Sequence, residues 1–299
     1  MPIETMTPDL SLIIVNFNAG KYLERCLLSL REHLSGMAWE AVVIDNHSSD
    51  GSDSIVPGFA PRVSLVRNAE NIGFGRAVNH GVQVTSGRFV LLMNPDACLL
   101  PGAVDQLRKE LDAHRDCAVV GPAVVDDDGR VQGSARGDPD MLTGFFGRST
   151  WLTRRFPNTS WARRNVMSDP QLAGGASSVE VDWVSGSCML VRREAFLQVG
   201  GFDQRYFMYW EDADLCRRLR SAGWRTRYRP GARVTHSVGQ SSRTAKALAT
   251  RAFHRSAYLY YATHVAPSPL NPMRWFAYSL LGARCLWRLG RRRSPAASD

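Results

Sequence analysis

Six cysteines occur among the 299 residues, yet no two form a C-x-x-C pair and no His/Cys cluster has zinc-ligand spacing. Cys26, Cys98, Cys117, Cys188, Cys216 and Cys285 therefore read as buried thiols of a reducing compartment. No run of about 18 uninterrupted apolar residues is present, so no membrane-spanning helix is expected. A secretory leader is not expected either, because Glu4 and Asp9 precede a short apolar run where a basic n-region and a long h-region would stand. These absences predict a cytoplasmic chain. A dinucleotide fingerprint is also lacking: Gly73-Phe-Gly75 has no third glycine, since position 78 is Val, and it follows Asn71 without opening the first βα unit. Internal repeats and low-complexity tracts are absent. Acid is nearly absent from one end, where residues 243–299 hold ten Lys/Arg against Asp299 alone. That segment carries the whole net charge of +9, and residues 1–242 balance. Confinement of the charge to one terminal segment, without an RNA- or DNA-binding signature, argues against a nucleic-acid partner.

The length suits about two domains with an appended element. Hydrophobic content of 44% and charge of 22% are those of a folded globular protein, so periodicity can be used to place elements. Short apolar runs at Leu12–Val15, Ala41–Ile44, Val63–Val66, Phe89–Met93 and Ala118–Val120 suit strands buried on both faces of a parallel sheet. Helical segments lie between them, one expected over 101–114 with Pro101 as its start residue. The pattern predicts an α/β fold: an open, doubly wound, mostly parallel sheet with flanking helices. Asp126-Asp-Asp-Gly129 reads as a hairpin turn.

Polar residues close the first, second and fourth runs: Asn16, Asp45 and Asn94-Pro95-Asp96. Ligands of open α/β sheets bind beyond the carboxyl ends of the strands, so these distant residues can outline one cleft. Farther on, Phe207-Met-Tyr-Trp-Glu-Asp-Ala-Asp-Leu215 sets three carboxylates at a helix start. Counting from Asp212, Leu215, Leu219 and Ala222 follow at helical spacing, which aims Asp212 inward. Burying such a group is costly unless it has partners or work to do, and general-base duty on a substrate hydroxyl is one use. An acidic first turn favoured by the helix dipole is the alternative. Residues 137–180 lack clear periodicity. Trp151, Trp161, Arg154, Arg155, Arg163 and Arg164 in that stretch suit either a loop over an anionic ligand or a solvated surface loop.

In order and spacing, these segments resemble glycosyltransferase family 2, the inverting enzymes of the GT-A fold that use nucleotide sugars. Ser11–Asn18, Val43–Ser52, Asn71–Gly81 and Asn94-Pro-Asp96 look like its donor-binding half, about residues 1–120. Trp183, Gly186-Ser187-Cys, Gly200-Gly-Phe-Asp203 and Trp210-Glu211-Asp-Ala-Asp214 look like its acceptor-binding and catalytic half, about 121–242. The resemblance implies that Asp45 bonds the pyrimidine of the donor beside Val15 and Asn16. It places Asn71, Arg76 and Asn79 near the nucleotide and phosphates, Trp183, Gly186, Ser187, Trp210 and Glu211 on the acceptor side, and Asp212 as the base. Asn94-Pro-Asp96 takes the place of the family's D-x-D metal motif, with Asn for its first Asp. Asp96 offers a hard anionic oxygen for Mg2+ or Mn2+, and His236 stands where some relatives place a metal-binding histidine. The likeness is greatest to bacterial rhamnosyltransferases of lipid-linked or cell-wall glycans, which implies a dTDP or UDP sugar, most specifically dTDP-rhamnose, and a lipid-linked acceptor. Processive relatives carry Q-x-x-R-W, whereas Gln240-Ser-Ser-Arg243 is followed by Thr, so transfer of a single sugar is implied.

Prolines 267, 269 and 272 divide the remaining chain, 243–299, into helical segments over 245–263 and 273–293. In the second, Arg274, Arg284, Arg288, Arg291 and Arg292 share one arc while Trp275, Phe276, Leu286 and Leu289 point elsewhere. Such a helix can lie in an anionic membrane surface, which predicts a peripheral enzyme at the inner face of the cell membrane. Packing of the aromatics on the catalytic domain, or on a second subunit of a homo-oligomer, is the alternative. Two other functions compete. A sugar-phosphate nucleotidyltransferase would need a G-x-G-x-R loop after the first strand, where Asn16-Phe-Asn-Ala-Gly20 stands. A non-catalytic, membrane-attached glycan-binding protein draws its support from Asn94.

Overall fold

The computed structural model describes residues 8–138, 177–237 and 246–290. Chain order begins with β1 (Leu10–Asn16), α1 (Lys21–His33), β2 (Trp39–Asp45), a 3-10 helix (Ser52–Phe59), β3 (Val63–Arg67) and α2 (Phe74–Gln83). It continues with β4 (Phe89–Met93), β5 (Ala97–Leu99), α3 (Ala103–Ala113), β6 (Cys117–Val125) and β7 (Ala135–Arg136). Then come β8 (Val179–Val181), β9 (Trp183–Val184), β10 (Cys188–Arg192), α4 (Arg193–Gln198), α5 (Glu211–Ser221), β11 (Arg225–His236), α6 (Lys246–His264) and α7 (Pro272–Gly290).

The main sheet runs β3-β2-β1-β4-β10-β6-β11-β5, with β8 also on β11. Its β3-β2-β1-β4 portion is parallel throughout: β1 pairs with β2 from Leu10↔Trp39 to Asn16↔Asp45, and with β4 from Leu10↔Phe89 to Ile14↔Met93. β10 lies antiparallel to both β4 and β6, so its start, not its end, meets the carboxyl edge of the parallel strands. Side chains alternate between two cores, as the pleat requires. Leu12 and Ile14 pack with Leu23 and Leu27 of α1 and Leu107 of α3. Ile13 and Val15 face α2, α4 and α5, through Val78, Phe196 and Leu215. Burial on both faces explains the unbroken apolar runs; each buried Leu, Ile or Val contributes about 1.5–3 kcal/mol.

Two local expectations shift. Helix α3 begins at Ala103, because Gly102 takes φ +72 and Ala103 N donates to Leu100 O, leaving Pro101 in the turn. Ala222 is exposed: α5 ends at Ser221 and Gly223 turns the chain with φ +92, so the inward stripe stops at Leu219. The hairpin turn at 126–129 is present, with Gly129 N on Asp126 O and the Asp126 carboxylate accepting from Asp128 and Arg130 N–H. Trp151, Trp161, Arg154, Arg155, Arg163, Arg164, Gln240, Arg243, Arg291 and Arg292 lie outside the described residues.

The turn before α2 meets the segment before α5 at Gly73. Its φ is +87, a Cβ there would stand 2.4 Å from Phe207 O, and the next residue, Phe74, donates its N–H to that same oxygen at 2.8 Å. Gly73→Ala therefore combines backbone strain with a clash against main chain. It should lower stability by about 2 kcal/mol or more, measured as the urea midpoint at unchanged m-value.

Candidate active site

Asn16 and Asp45 end neighbouring parallel strands in register, so their side chains meet. Asn16 Nδ2 donates to Asp45 Oδ1 at 2.7 Å and to Ser52 Oγ at 2.9 Å. Ser48 donates to Asp45 twice, from Oγ to Oδ1 at 2.6 Å and from its backbone N–H to Oδ2 at 3.0 Å. The carboxylate, 3% exposed, is thus held in one orientation by fixed donors. Val15 is buried in the strand below it. Asn46 donates to Gly73 O and accepts from Asn68, which closes the floor of this edge.

One strand over, Asn94 follows β4 at the same edge. Its side-chain nitrogen lies 3.3 Å from His236 Nε2, and His236 Nε2 lies 3.2 Å from Asp96 Oδ1. β5 and the end of β11 pair antiparallel with Ala97 opposite His236, which is how residues 140 positions apart converge. Gln132 grips the other side of the ring: its Oε1 is 3.2 Å from His236 Nδ1, and its Nε2 donates to His236 O at 2.8 Å. Among the described residues no group of three or more His, Cys, Asp or Glu side chains is placed to hold a metal ion.

The link to Asp212 runs through Gly186-Ser187, the two residues before β10. Ser187 O accepts the Asn94 N–H at 2.9 Å, and Gly186 N donates to Asp212 Oδ2 at 3.0 Å. Ala213 N holds the other oxygen, Oδ1, at 2.9 Å. A Cβ built on Gly186 would stand 3.7 Å both from Asp212 Cβ and from Phe74 of α2. Asp212, Asn94, Asp96 and His236 therefore share one neighbourhood, and β1 alone separates β4 from the Asp45 strand, roughly 10 Å across.

The remaining expected residues make the following contacts. Asn71 Oδ1 accepts from Gly73 N and shapes the turn before α2. Both ends of the Asn79 amide are engaged by Phe202, Nδ2 on its carbonyl and Oδ1 on its N–H, so this side chain ties α2 to the loop after α4. Arg76 is exposed and reaches Gln204 O at 3.3 Å. Trp183 is buried, with Nε1 on Gly137 O and the Arg136 guanidinium over its ring.

A family model described as glycosyl transferase family 2 matches residues 11–200, and one described as the N-terminal domain of galactosyltransferase matches residues 172–240. The chain belongs to glycosyltransferase family 2. It is 35% identical over 296 residues to the N-acetylglucosaminyl-diphospho-decaprenol L-rhamnosyltransferase of Mycobacterium tuberculosis, an alignment covering 93% of this chain and 92% of that one. Among solved structures it is similar to GalNAc-T7 with UDP, GalNAc and Mn2+ (TM-score 0.58, 16% identity, 92% of this chain and 54% of that one). It is similar also to the mannosyltransferase PcManGT of Pyrobaculum calidifontis with GDP-Man and Mn2+ (TM-score 0.57, 17% identity, 97% and 77%). At such identities these likenesses show the fold, which is GT-A.

In this glycosyltransferase the turn that launches α5 is strained. Tyr209 and Trp210 both have φ near +70, a region that side chains avoid at a cost of about 1–3 kcal/mol each. Helix α6 holds them: Phe253 packs on both rings, Tyr260 packs on Trp210, and Ser256 Oγ donates to Met208 O at 2.9 Å. Asp214, two residues past Asp212, is wholly buried and paired with His264 Nε2 of α6 at 2.6 Å and Arg218 Nε at 2.7 Å. His264, Gln132, Ser48 and Ser52 had no assigned role at the sequence level. Only the serines had a signal, as part of the segment after β2; the others act through pairs distant in sequence.

Glu211 is 6% exposed, and neither its Oε2 nor Trp210 Nε1 has a hydrogen-bond partner among the described residues. Burial, reinforced by the neighbouring Asp212 charge, pushes its carboxyl well above the usual carboxylate range. Because the folded value lies above the unfolded one, the stability this group contributes is complete below about pH 4.3 and is lost as pH rises towards the folded value. Glu211→Gln removes that loss. Its unfolding free energy should gain on wild type by about 1.4 kcal/mol per pH unit above that point, until the folded value is reached. Urea titrations between pH 4.5 and 8 check the divergence, and parallel pH profiles would refute it.

Proposed function

We propose that the enzyme transfers one sugar, with inversion, from a nucleoside diphosphate sugar to a hydroxyl of a lipid-linked glycan. The observation that carries this reading is the Gly186–Asp212 hydrogen bond, adjoining the Ser187–Asn94 bond, because it sets one carboxylate beside the polar strand ends. Similarity over nearly the full length to an enzyme named for rhamnose transfer to N-acetylglucosaminyl-diphospho-decaprenol supports rhamnose as the sugar, dTDP-rhamnose as its donor and a polyprenyl-diphosphate acceptor.

Asp45 offers acceptor oxygens only, which suits the N3–H of thymine or uracil. An acceptor hydroxyl attacks the anomeric carbon from the face opposite the diphosphate. As the new C–O bond forms, the proton passes to Asp212 and the bond to the diphosphate breaks, its electron pair leaving with the nucleotide. Diphosphate is already a good leaving group, so no second carboxylic acid is required, in contrast to glycoside hydrolysis. Asp96 Oδ1 and His236 Nε2, 3.2 Å apart, fit a divalent cation, Mg2+ or Mn2+. Asp96 and His236 would hold that ion, and Asn94 could add a neutral carbonyl. When bound, that ion stabilises the charge developing on the leaving diphosphate. Asp212→Asn should lower turnover by about 10²- to 10⁴-fold while leaving nucleotide affinity within about threefold. Turnover with dTDP-rhamnose and a polyprenyl-diphosphate acceptor, beside dTDP titration by calorimetry, measures both; equal turnover would remove Asp212 from the mechanism.

A lipid-linked acceptor lies at a membrane surface, and α7 suits that place. Among the described residues no helix is long and apolar enough to cross a membrane. Ala277 and Leu281 of α7 are buried, and Arg274 and Arg284 flank them, Arg274 bonding Tyr258 of α6 and Pro267 O. The arginine arc thus borders the packed side. Outward stand Trp275 at 61% exposure, Leu286 at 72%, Phe276, Tyr278 and Trp287, with Leu270 at 89% just before the helix. Residues 246–290 contain six Lys/Arg and no acid. An apolar face on an acid-free, basic element matches an anionic bilayer. Trp275→Glu with Leu286→Glu should weaken sedimentation with phosphatidylglycerol vesicles at least about tenfold and leave thermal stability intact; undiminished binding would overturn the proposal.

A further inference from the structure

We infer that Gln132 is a positioning residue for the metal: its side-chain amide fixes the tautomer of His236 so that Nε2 presents a lone pair towards Asp96. This deepens the metal-assisted reading above and rests on it.

The argument starts from the backbone carbonyl of His236, which can only accept. The group of Gln132 that lies 2.8 Å from it must therefore be the amide nitrogen, and an amide turned the other way would set two acceptors against each other. With Nε2 of Gln132 committed there, Oε1 faces His236 Nδ1 at 3.2 Å and requires a proton on it. The neutral ring then carries its lone pair on Nε2. In that tautomer the lone pair faces Asp96 Oδ1 at 3.2 Å, acceptor to acceptor, a contact that a cation between the two atoms makes favourable. Asn94 Nδ2, 3.3 Å from Nε2, is consistent with the same tautomer, since it supplies a donor to that lone pair.

The clasp is possible because of the fold. Gln132 follows the 126–129 turn at the end of β6, where Gln132 N donates to Val124 O, while His236 ends β11, the parallel partner of β6. The two residues are 104 positions apart and are brought level by the β6–β11 pairing. A histidine free to adopt either tautomer would spend part of its time with Nε2 protonated and closed to a cation. Fixing Nδ1–H removes that competition, as outer partners of metal-bound histidines generally do.

The test uses the full-length protein with uniformly labelled histidine nitrogen. In metal-free wild type at pH 8, long-range 15N–1H correlation, assigned with His236→Ala, should show the His236 ring protonated at Nδ1. A ring protonated at Nε2 would overturn the inference without recourse to any variant. Mn2+ binding in the presence of dTDP, followed by electron paramagnetic resonance, supplies the second readout. Gln132→Leu should weaken it about 10- to 100-fold and mix the tautomers. Gln132→Glu keeps an acceptor for Nδ1–H, and should restore the tautomer and bind Mn2+ within about threefold of wild type. Unchanged Mn2+ affinity in Gln132→Leu, with wild type binding normally, would overturn the role of Gln132 alone. Wild-type affinity no better than that of His236→Ala would instead overturn the metal reading, and this inference with it.

Discussion

A carboxylate with no solvent at all governs how the region around α5 is built. Asp214 cannot stay charged in the interior without partners, since an unpaired buried charge costs several kcal/mol. Its partners come from three places: Arg218 one turn along α5, His264 at the end of α6, and the Tyr206 hydroxyl at 3.4 Å from the loop before the helix. Meeting that demand brings α6 down onto the first turn of α5. The same helix turn presents Asp212 on another side, to Gly186, so a structural carboxylate and the proposed base are positioned by one rigid element.

The extension consequently has two jobs. Helix α6 is integral to the fold around α5, because it stabilises the positive-φ turn at Tyr209 and Trp210 that sets the direction of α5. Strain of this kind persists only where surrounding contacts over-determine it. Helix α7 packs through a narrow face, centred on Ala277 and Leu281, and leaves Trp275, Phe276, Tyr278 and Trp287 more than half exposed. In the proposed reading, the element that meets the membrane is joined through α6 to the turn that carries the base.

Legibility in the sequence followed the range of the interactions. The parallel strands were readable because burial on both faces leaves uninterrupted apolar runs, and their terminal Asn16, Asp45 and Asn94 were readable because such runs end abruptly in polar residues. The arginine arc of α7 was visible too, but not which side of it would be packed. The reversal of β10 left no signature, since an antiparallel strand in the middle of the sheet is as apolar as its parallel neighbours. Asn79 and Trp183 could be assigned by resemblance to the donor and acceptor sides, but their contacts were not legible, because Phe202 for the first and Gly137 and Arg136 for the second include partners distant in sequence.

By itself the sequence determined which residues could form strands and helices, where the cation-rich end lies, and which carboxylates stand at element ends, because these depend on neighbours a few positions away. Only the tertiary structure decided that Gln132 grips His236, that Gly186 bonds Asp212, and that His264 pairs with Asp214. Each of those pairs joins segments that meet only after the sheet has assembled. A hydrogen bond also has a direction, which the pattern of residue types along the chain does not carry.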